Sequence, residues 1–166
     1  MQELHRIECL DLVFDDAQVD ESVFSKRKYH RGRVVNQKWV FGMCDSAPGG
    51  KIYLTPIPDR KRATLFPFIL EHTHCDSIVT TDCFVSYDQL GDHNIQHLQV
   101  NHSENFVDPE THAHTQRIES IWSGAKRWMQ KHGYNDPQYI GEYLAEYCYR
   151  YNHMKDSKYF WTTLYE

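Results

Sequence analysis

Four polar side chains, far apart in the chain, have the types and spacing that phosphoryl transfer requires. They are the carboxylates of Asp20, Asp82 and Glu119 and the ammonium group of Lys126, which follows Glu119 by seven residues. Carboxylates from separate elements can hold two divalent cations about 3.5–4 Å apart, one activating an attacking oxygen and the other stabilising a leaving oxygen. The three acids are therefore candidate catalytic and metal-ligating residues.

An alternative interpretation gives the same residues only structural roles. Asp20 and Asp82 would then simply end strands, and Glu119 would be a first-turn helix residue that the helix dipole favours. Lys126 would be an ordinary exposed helix lysine instead of a phosphate ligand. The residue types alone leave both interpretations open.

The pattern of the chain predicts a mixed α/β sheet flanked by helices. Short β-rich runs bounded by turn-forming residues indicate strands, and SAPGG between two such runs predicts a hairpin. Asp20 lies in the first predicted strand and Asp82 ends the fourth. The predicted strands are VDESVF, RVVNQKWVFGMCD, KIYLTPIP, SIVTTD and IQHLQVNH.

Three helices are predicted to accompany these strands. In the first, Thr64 is the expected N-cap and Pro67 is expected in the first turn, where a missing N–H costs nothing. The second is expected to end at His132-Gly133, a common helix terminator. The segment SENFVDPETHAHT between the last strand and the second helix is predicted to be a loop. The predicted helices cover residues 64–72, 115–131 and 137–151.

The helix that carries Glu119 has two distinct faces. At 100° per residue its apolar side chains form one core-facing stripe, made of Ile118, Ile121, Trp122, Ala125 and Met129. A separate polar stripe contains Glu119, Ser123, Lys126 and Gln130. Glu119 and Lys126 are roughly 10 Å apart along the axis. The carboxylate can then reach a metal while the ammonium group reaches a phosphate further along the same nucleic acid.

Composition bounds the class of protein. The chain has 166 residues, of which 40% are hydrophobic and 14% aromatic, and this predicts a single folded domain. No apolar run approaches the roughly 20 residues of a membrane span, and MQELHRIECL lacks the pattern of a secretion signal. Five scattered cysteines without a CxxC pair indicate neither a disulfide framework nor a zinc ribbon.

The net charge of -5 is unevenly distributed along the chain. Residues 1–22 hold one Arg and seven acidic residues, whereas the rest is close to neutral. A basic strip follows the first strand and is a candidate DNA-backbone contact, although a solvated loop or a nuclear-import patch would have the same composition. Its candidate DNA-binding residues are Lys26, Arg27, Lys28, Arg31 and Arg33.

Several runs of the chain together resemble one known family. The runs are VDESVFSKRKYHRGRVVNQKWVFG, PDRKRATLFPFI, TTDCFVSYDQL and VNHSENFVDPETHAHTQRIESIWSGAK. They resemble the ISXO-like bacterial insertion-sequence transposases and their eukaryotic relatives, the Merlin transposases. The resemblance extends from about Val19 to Tyr149. The last run is the most specific, because it joins an Asn-His pair, a DPET loop and a Glu-x6-Lys helix in order.

The resemblance implies a ribonuclease H-like integrase fold and metal-dependent cleavage and joining of DNA. The family's three acids match Asp20, Asp82 and Glu119, and its basic residue matches Lys126. It implies two Mg²⁺ or Mn²⁺ ions with oxygen ligands, DNA as the partner (transposon ends and target), and self-association as a homodimer by analogy. Asn101 and His102 are possible cleft residues. A strand-end pair is equally consistent with them.

The resemblance also shapes the expected domain organisation. Residues 1–18 are predicted to be an acidic N-terminal segment, residues 19–152 the transposase or integrase-like domain, and residues 153–166 a tail. Since little sequence precedes Asp20, a truncated or domesticated derivative that binds DNA or a protein partner without catalysis is the alternative. A simple metal-dependent nuclease is a third. The expected location is the nucleus in a eukaryotic host and the cytoplasm in a bacterial one.

Overall fold

Five strands form one mixed sheet, and the strand that carries Asp20 is at its centre. The computed structural model describes residues 12–24, 38–101, 114–134 and 136–154. The sheet has the strand order β3-β2-β1-β4-β5. The strands are β1 (Asp16–Val23), β2 (Trp39–Asp45), β3 (Ile52–Ile57), β4 (Ile78–Asp82) and β5 (Gln96–Val100).

The strand directions divide the sheet into two halves. β2 pairs with both β1 and β3 in antiparallel fashion, whereas β4 runs parallel to both β1 and β5. The predicted hairpin is confirmed: between β2 and β3 the Asp45 carboxylate accepts a hydrogen bond from the Lys51 N–H at 2.6 Å. Gly49 in this turn has a φ of +75°, a conformation that favours glycine. The predicted mixed sheet is confirmed.

The first helix, α1 (Arg62–Glu71), begins earlier than the sequence predicts. Its N-cap is Lys61, and the prediction of Thr64 as the cap is wrong. The Thr64 hydroxyl donates to the Asp59 carboxylate at 2.6 Å, so it braces the turn that precedes the helix. The prediction for Pro67 is also wrong, because this residue lies in the helix interior. There its ring removes the hydrogen bond to the carbonyl four residues earlier.

The other two helices match the prediction closely. They are α2 (Gln116–Lys131) and α3 (Ile140–Met154), and a short 3-10 turn (Pro137–Tyr139) leads into α3. All five residues of the predicted apolar stripe of α2 are buried, and the four residues of the polar stripe are exposed. Within the described ranges, no helix combines the length and apolar character that crossing a bilayer demands.

Each face of the sheet is covered by its own apolar core. On one face, α2 and α3 pack against alternate residues of the strands, including Val40, Cys44, Ile52 and Leu54. On the other face, α1 packs against Val19, Phe41, Met43 and Tyr53. Because side chains alternate between faces along a strand, Gln18, Asp20 and Ser22 of β1 face α2. Ala17, Val19 and Glu21 face the opposite side.

His72, at the end of α1, makes the stability of this fold depend on pH. It is 2% exposed and lies edge-on to the Tyr53 ring at 4.2 Å. Burial lowers the pKa of His72, partly offset by the charge of Glu71 and by the Leu12 backbone. As pH falls below about 6.5, the unfolded chain therefore takes up a proton that the folded chain resists, and stability falls.

We expect His72→Phe to flatten this dependence. The aromatic ring is kept against Tyr53, and the titrating group is removed. Below pH 6.5, the slope of the unfolding free energy against pH should decrease by at most about 1.4 kcal/mol per pH unit, the limit for one proton. Urea unfolding of both proteins between pH 5 and 7.5 measures it. Parallel curves for the two proteins would contradict this role for His72.

Candidate active site

The sheet places Asp20 and Asp82 side by side. β1 and β4 pair in parallel with Gln18 opposite Thr80. Continuing that register by two residues brings Asp20 level with Asp82, and the alternation of side chains along a strand assigns both to the face that α2 covers. The charge of Asp82 contributes to raising the pKa of Asp20. The first two candidate acids are therefore neighbours on one face.

Asp20 is oriented by two donors from different elements. One carboxylate oxygen accepts from the Glu21 N–H at 2.7 Å, and the other accepts from the indole N–H of Trp122 at 2.9 Å. Burial is the main cause that raises the pKa of Asp20; the bonds to Trp122 and Glu21 and the charge of Arg60 oppose it. The carboxylate is thus fixed in direction, but its negative charge is incompletely compensated.

Asp82 is oriented in a comparable way. It is the last residue of β4 and is half-buried. One of its carboxylate oxygens accepts from the N–H of Phe84 at 3.0 Å. The turn that follows β4 therefore sets the direction of this carboxylate, much as the backbone of β1 does for Asp20.

A ladder of hydrogen bonds fastens α2 to β1. Residues two apart along the strand meet residues four apart along the helix. These separations match, because two strand residues span about 6.6–6.8 Å and four helical residues span 6.0 Å. The side-chain oxygen Oε1 of Gln18 accepts from the N–H groups of Arg117 and Ile118 at 3.0 and 3.1 Å. The other two contacts are Trp122 to Asp20 at 2.9 Å and Lys126 to Ser22 at 2.6 Å.

Glu119 lies on this helix, on the same side of the sheet as the two aspartates, but it is not joined with them around one point. It is exposed in the first turn of α2 and precedes Trp122 by three residues, about 4.5 Å along the axis. Within the described ranges, no group of three or more His, Cys, Asp or Glu side chains could hold one metal ion. The structure thus gathers two of the three predicted acids and brings the third to the same side of the sheet.

The donor set of the aspartate pair fits a hard divalent cation. Mg²⁺ and Mn²⁺ take carboxylate oxygens, and Asp20 and Asp82 present such oxygens from adjacent strands. Their mutual repulsion and the burial of Asp20 disfavour two negative charges without a counter-ion. A bound cation would reverse that balance.

Other predicted site residues lie around the same end of the sheet. Lys126 is exposed, donates to Ser22 and lies 5.1 Å from the centre of the Phe24 ring, beside the end of β1. Asn101 is exposed and directly follows Val100, which pairs with Asp82. The remaining predicted residues fall outside the described ranges: His102, Lys26, Arg27, Lys28, Arg31 and Arg33.

Sequence reasoning missed the contact between Trp122 and Asp20. Trp122 was expected in the core, and it is buried there. A buried indole N–H requires an acceptor, and Trp122 borders the polar stripe that carries Glu119. This combination is a signal in the sequence that could have pointed to Asp20.

Comparisons with known proteins show which family the sequence matches. Residues 14–152 match the family described as the ISXO2-like transposase domain. A protein of Haemophilus influenzae (strain ATCC 51907 / DSM 11121 / KW20 / Rd) named "Uncharacterized transposase-like protein" is 38% identical over 102 residues. That match covers 61% of this chain and 81% of the relative.

The fold is similar to that of a solved integrase core. The catalytic core domain of BIV integrase superposes with a TM-score of 0.58 at 11% identity, over 84% of each chain. At that identity the likeness concerns the fold alone, and it confirms the predicted ribonuclease H-like α/β class. Because the family match spans most of the sequence, the chain belongs to the ISXO2-like transposase family.

Proposed function

We propose that residues 19–152 form a DDE-type catalytic domain that cleaves DNA strands and joins them to target DNA with two divalent metal ions. The observation that carries this proposal is the aspartate pair, Asp20 beside Asp82, on the face that α2 covers. Glu119, in the first turn of that helix, supplies the third acid. Membership of a transposase family supports DNA as the substrate.

In this proposal the three acids hold the metal ions and the surrounding elements hold the acids. Bound Mg²⁺ or Mn²⁺ would supply activation of the attacking oxygen and stabilisation of the leaving oxygen. Asp20 and Asp82 are each oriented by a backbone N–H, and Asp20 is also oriented by Trp122. The exposed Glu119 side chain would adopt a different conformation to join the two aspartates as a metal ligand.

Lys126 has a position that suits a DNA phosphate. Its ammonium group lies beside Ser22, two residues beyond Asp20 on the same face of β1. A phosphate that approaches the acids can therefore meet a positive charge beside Ser22, about 6.6–6.8 Å along the strand from Asp20. Such contacts weaken as salt rises. We assign phosphate contact to Lys126.

A second candidate is a transposase derivative that binds DNA without catalysis. The observation that favours it is the absence, among the described residues, of a three-acid group that could hold a metal ion. It predicts salt-sensitive DNA binding that is indifferent to divalent metal. The two candidates therefore differ in a measurable way.

Metal-dependent nicking separates these candidates. Purified protein is incubated with a DNA duplex and Mn²⁺, with an excess of EDTA in a parallel sample. We expect nicking or joining that requires Mn²⁺ and that Asp82→Asn abolishes. The matched control is Asp92→Asn, an exposed position in the connection between β4 and β5, and it should retain activity. Tight binding without scission under any metal condition would instead support the binding derivative.

A further inference from the structure

The backbone pairing of β1 with β4 does not extend to the two aspartates. The paired residues are Asp16 with Ile78, Ala17 with Val79 and Gln18 with Thr80. Asp20 and Asp82 each lie two residues beyond the last of these pairs. The ladder sets the relative level of the two aspartates, but the distance between them also depends on contacts beyond the paired residues.

An ionic cluster lies on the opposite face of the sheet, with Glu21 and Tyr87 buried and Arg60 partly exposed. Glu21 follows Asp20 and points to the opposite face, where its side chain has 0% exposure. The Nε of Arg60 donates to one Glu21 oxygen at 2.9 Å, and Nη2 forms an ion pair with the same oxygen at 2.9 Å. The Tyr87 hydroxyl donates to the other oxygen. Both carboxylate oxygens of Glu21 are therefore held.

Arg60 is itself held by three further residues. Its guanidinium lies 4.5 Å from the centre of the Trp39 ring in β2 and 4.0 Å from that of Phe84. The Ser86 hydroxyl donates to the Arg60 carbonyl at 2.7 Å. Such stacking suits a planar guanidinium better than an ammonium group. Arg60 thus joins β1 and β2 to the turn that follows β4.

That turn also orients Asp82, so the cluster reaches both aspartates. Phe84, which stacks on Arg60, donates its N–H to the Asp82 carboxylate. Glu21, which pairs with Arg60, donates its N–H to the Asp20 carboxylate. One guanidinium therefore connects the two backbone N–H groups that set the directions of both acids.

We propose that Glu21, Arg60 and Tyr87 are positioning residues, which hold the ends of β1 and β4 at the spacing where Asp20 and Asp82 share a divalent cation. This inference rests on the proposed metal-binding role of the two acids. None of the three residues is assigned contact with metal or DNA. They act through the backbone that carries the acids, in the way that outer groups orient the ligands of a metal site.

The test is the affinity of the full chain for Mn²⁺ in the absence of DNA, measured by titration with electron paramagnetic resonance of free Mn²⁺. Tyr87→Phe removes one hydroxyl and keeps the ring. We expect about tenfold weaker Mn²⁺ binding, at the lower end of losses from such outer groups. Arg60→Lys keeps the charge and loses the two-point contact, and we expect a loss at least as large.

The chain offers a matched control at a distant position. The Tyr134 hydroxyl donates to Glu146 at 3.0 Å, and Glu146 pairs with Arg150 at 2.8 Å. Tyr134→Phe therefore removes the same kind of hydroxyl from another Tyr-Glu-Arg trio. Its Glu and Arg lie in α3, and its Tyr lies before that helix. Its Mn²⁺ affinity should equal that of the unchanged protein. Melting temperatures of all variants show whether each is folded at the titration temperature.

Each result is decisive. Loss of affinity in Tyr87→Phe and Arg60→Lys, with Tyr134→Phe unaffected, supports the positioning role. Unchanged affinity in both folded variants overturns it, and so does an equal loss in Tyr134→Phe, which would indicate a general effect of destabilisation. Failure of the unchanged protein to bind Mn²⁺ would instead contradict the proposed function itself.

Discussion

Replacing Glu119 by Gln is expected to lower Mn²⁺-dependent DNA cleavage by at least about 10²–10³-fold, the loss typical of removing one electrostatic group from an active site. The substitution keeps the size of the side chain and removes its charge. Glu119 is exposed, so the core should be unaffected. The measurement is the initial rate of nicking under saturating Mn²⁺.

A second first-turn glutamate provides the control for this prediction. Glu142 occupies the first turn of α3, as Glu119 does in α2. Both residues are favoured there by the helix dipole, and either substitution should cost about 0.3–1 kcal/mol of stability. Only Glu119→Gln should lose cleavage. Equal activities of the two variants would show that Glu119 has merely the structural role that a helix terminus gives it.

Replacing Gly42 by Ala is expected to damage both stability and activity. Gly42 pairs with Asp20 across β1 and β2, and the Trp122 indole occupies the space above it. An added Cβ would lie 2.4 Å from Cη2 and 2.6 Å from Cζ2 of that ring. Because the ring is packed in the core, the overlap should cost about 1–3 kcal/mol. Displacing Trp122 also removes its hydrogen bond to Asp20, so cleavage should fall about 10–100-fold.

The control for this prediction is Gly141→Ala. Gly141 lies in α3, and among the described residues an added Cβ would meet only Pro56, at an ordinary 3.7 Å. Alanine is the better helix former, so stability should stay equal or rise by up to about 1 kcal/mol. Urea unfolding and nicking rates of both variants measure the difference. Retention of wild-type cleavage by Gly42→Ala would contradict the role assigned to the Trp122 contact.

The sequence predicted the elements whose pattern is local. The apolar stripe of α2 depends on neighbouring residues, and this helix lies where the pattern indicates. The same regularity put Glu119 on the polar side of its helix. The predicted start of α1 was wrong because the Thr64 hydroxyl does not cap the helix. It donates instead to the carboxylate of Asp59, which lies before the helix.

Contacts between distant residues could not be predicted from one sequence. The level alignment of Asp20 with Asp82 depends on the parallel register of two strands that are 62 positions apart. The space that Gly42 leaves for Trp122 depends on a helix about 80 residues further along. Glutamate is usually a surface residue, and only the fold shows that Glu21 is buried in contact with Arg60 and Tyr87.

The hydrogen bonds of the Gln18 carboxamide affect how this protein would bind nucleic acid. In many proteins the exposed N–H groups that open a helix form a ready-made anion site. Here the first turn of α2 gives two of those groups, on Arg117 and Ile118, to a neutral side chain from β1. A DNA phosphate near the acids must then rely on cationic side chains, so counterion release should dominate its binding energy.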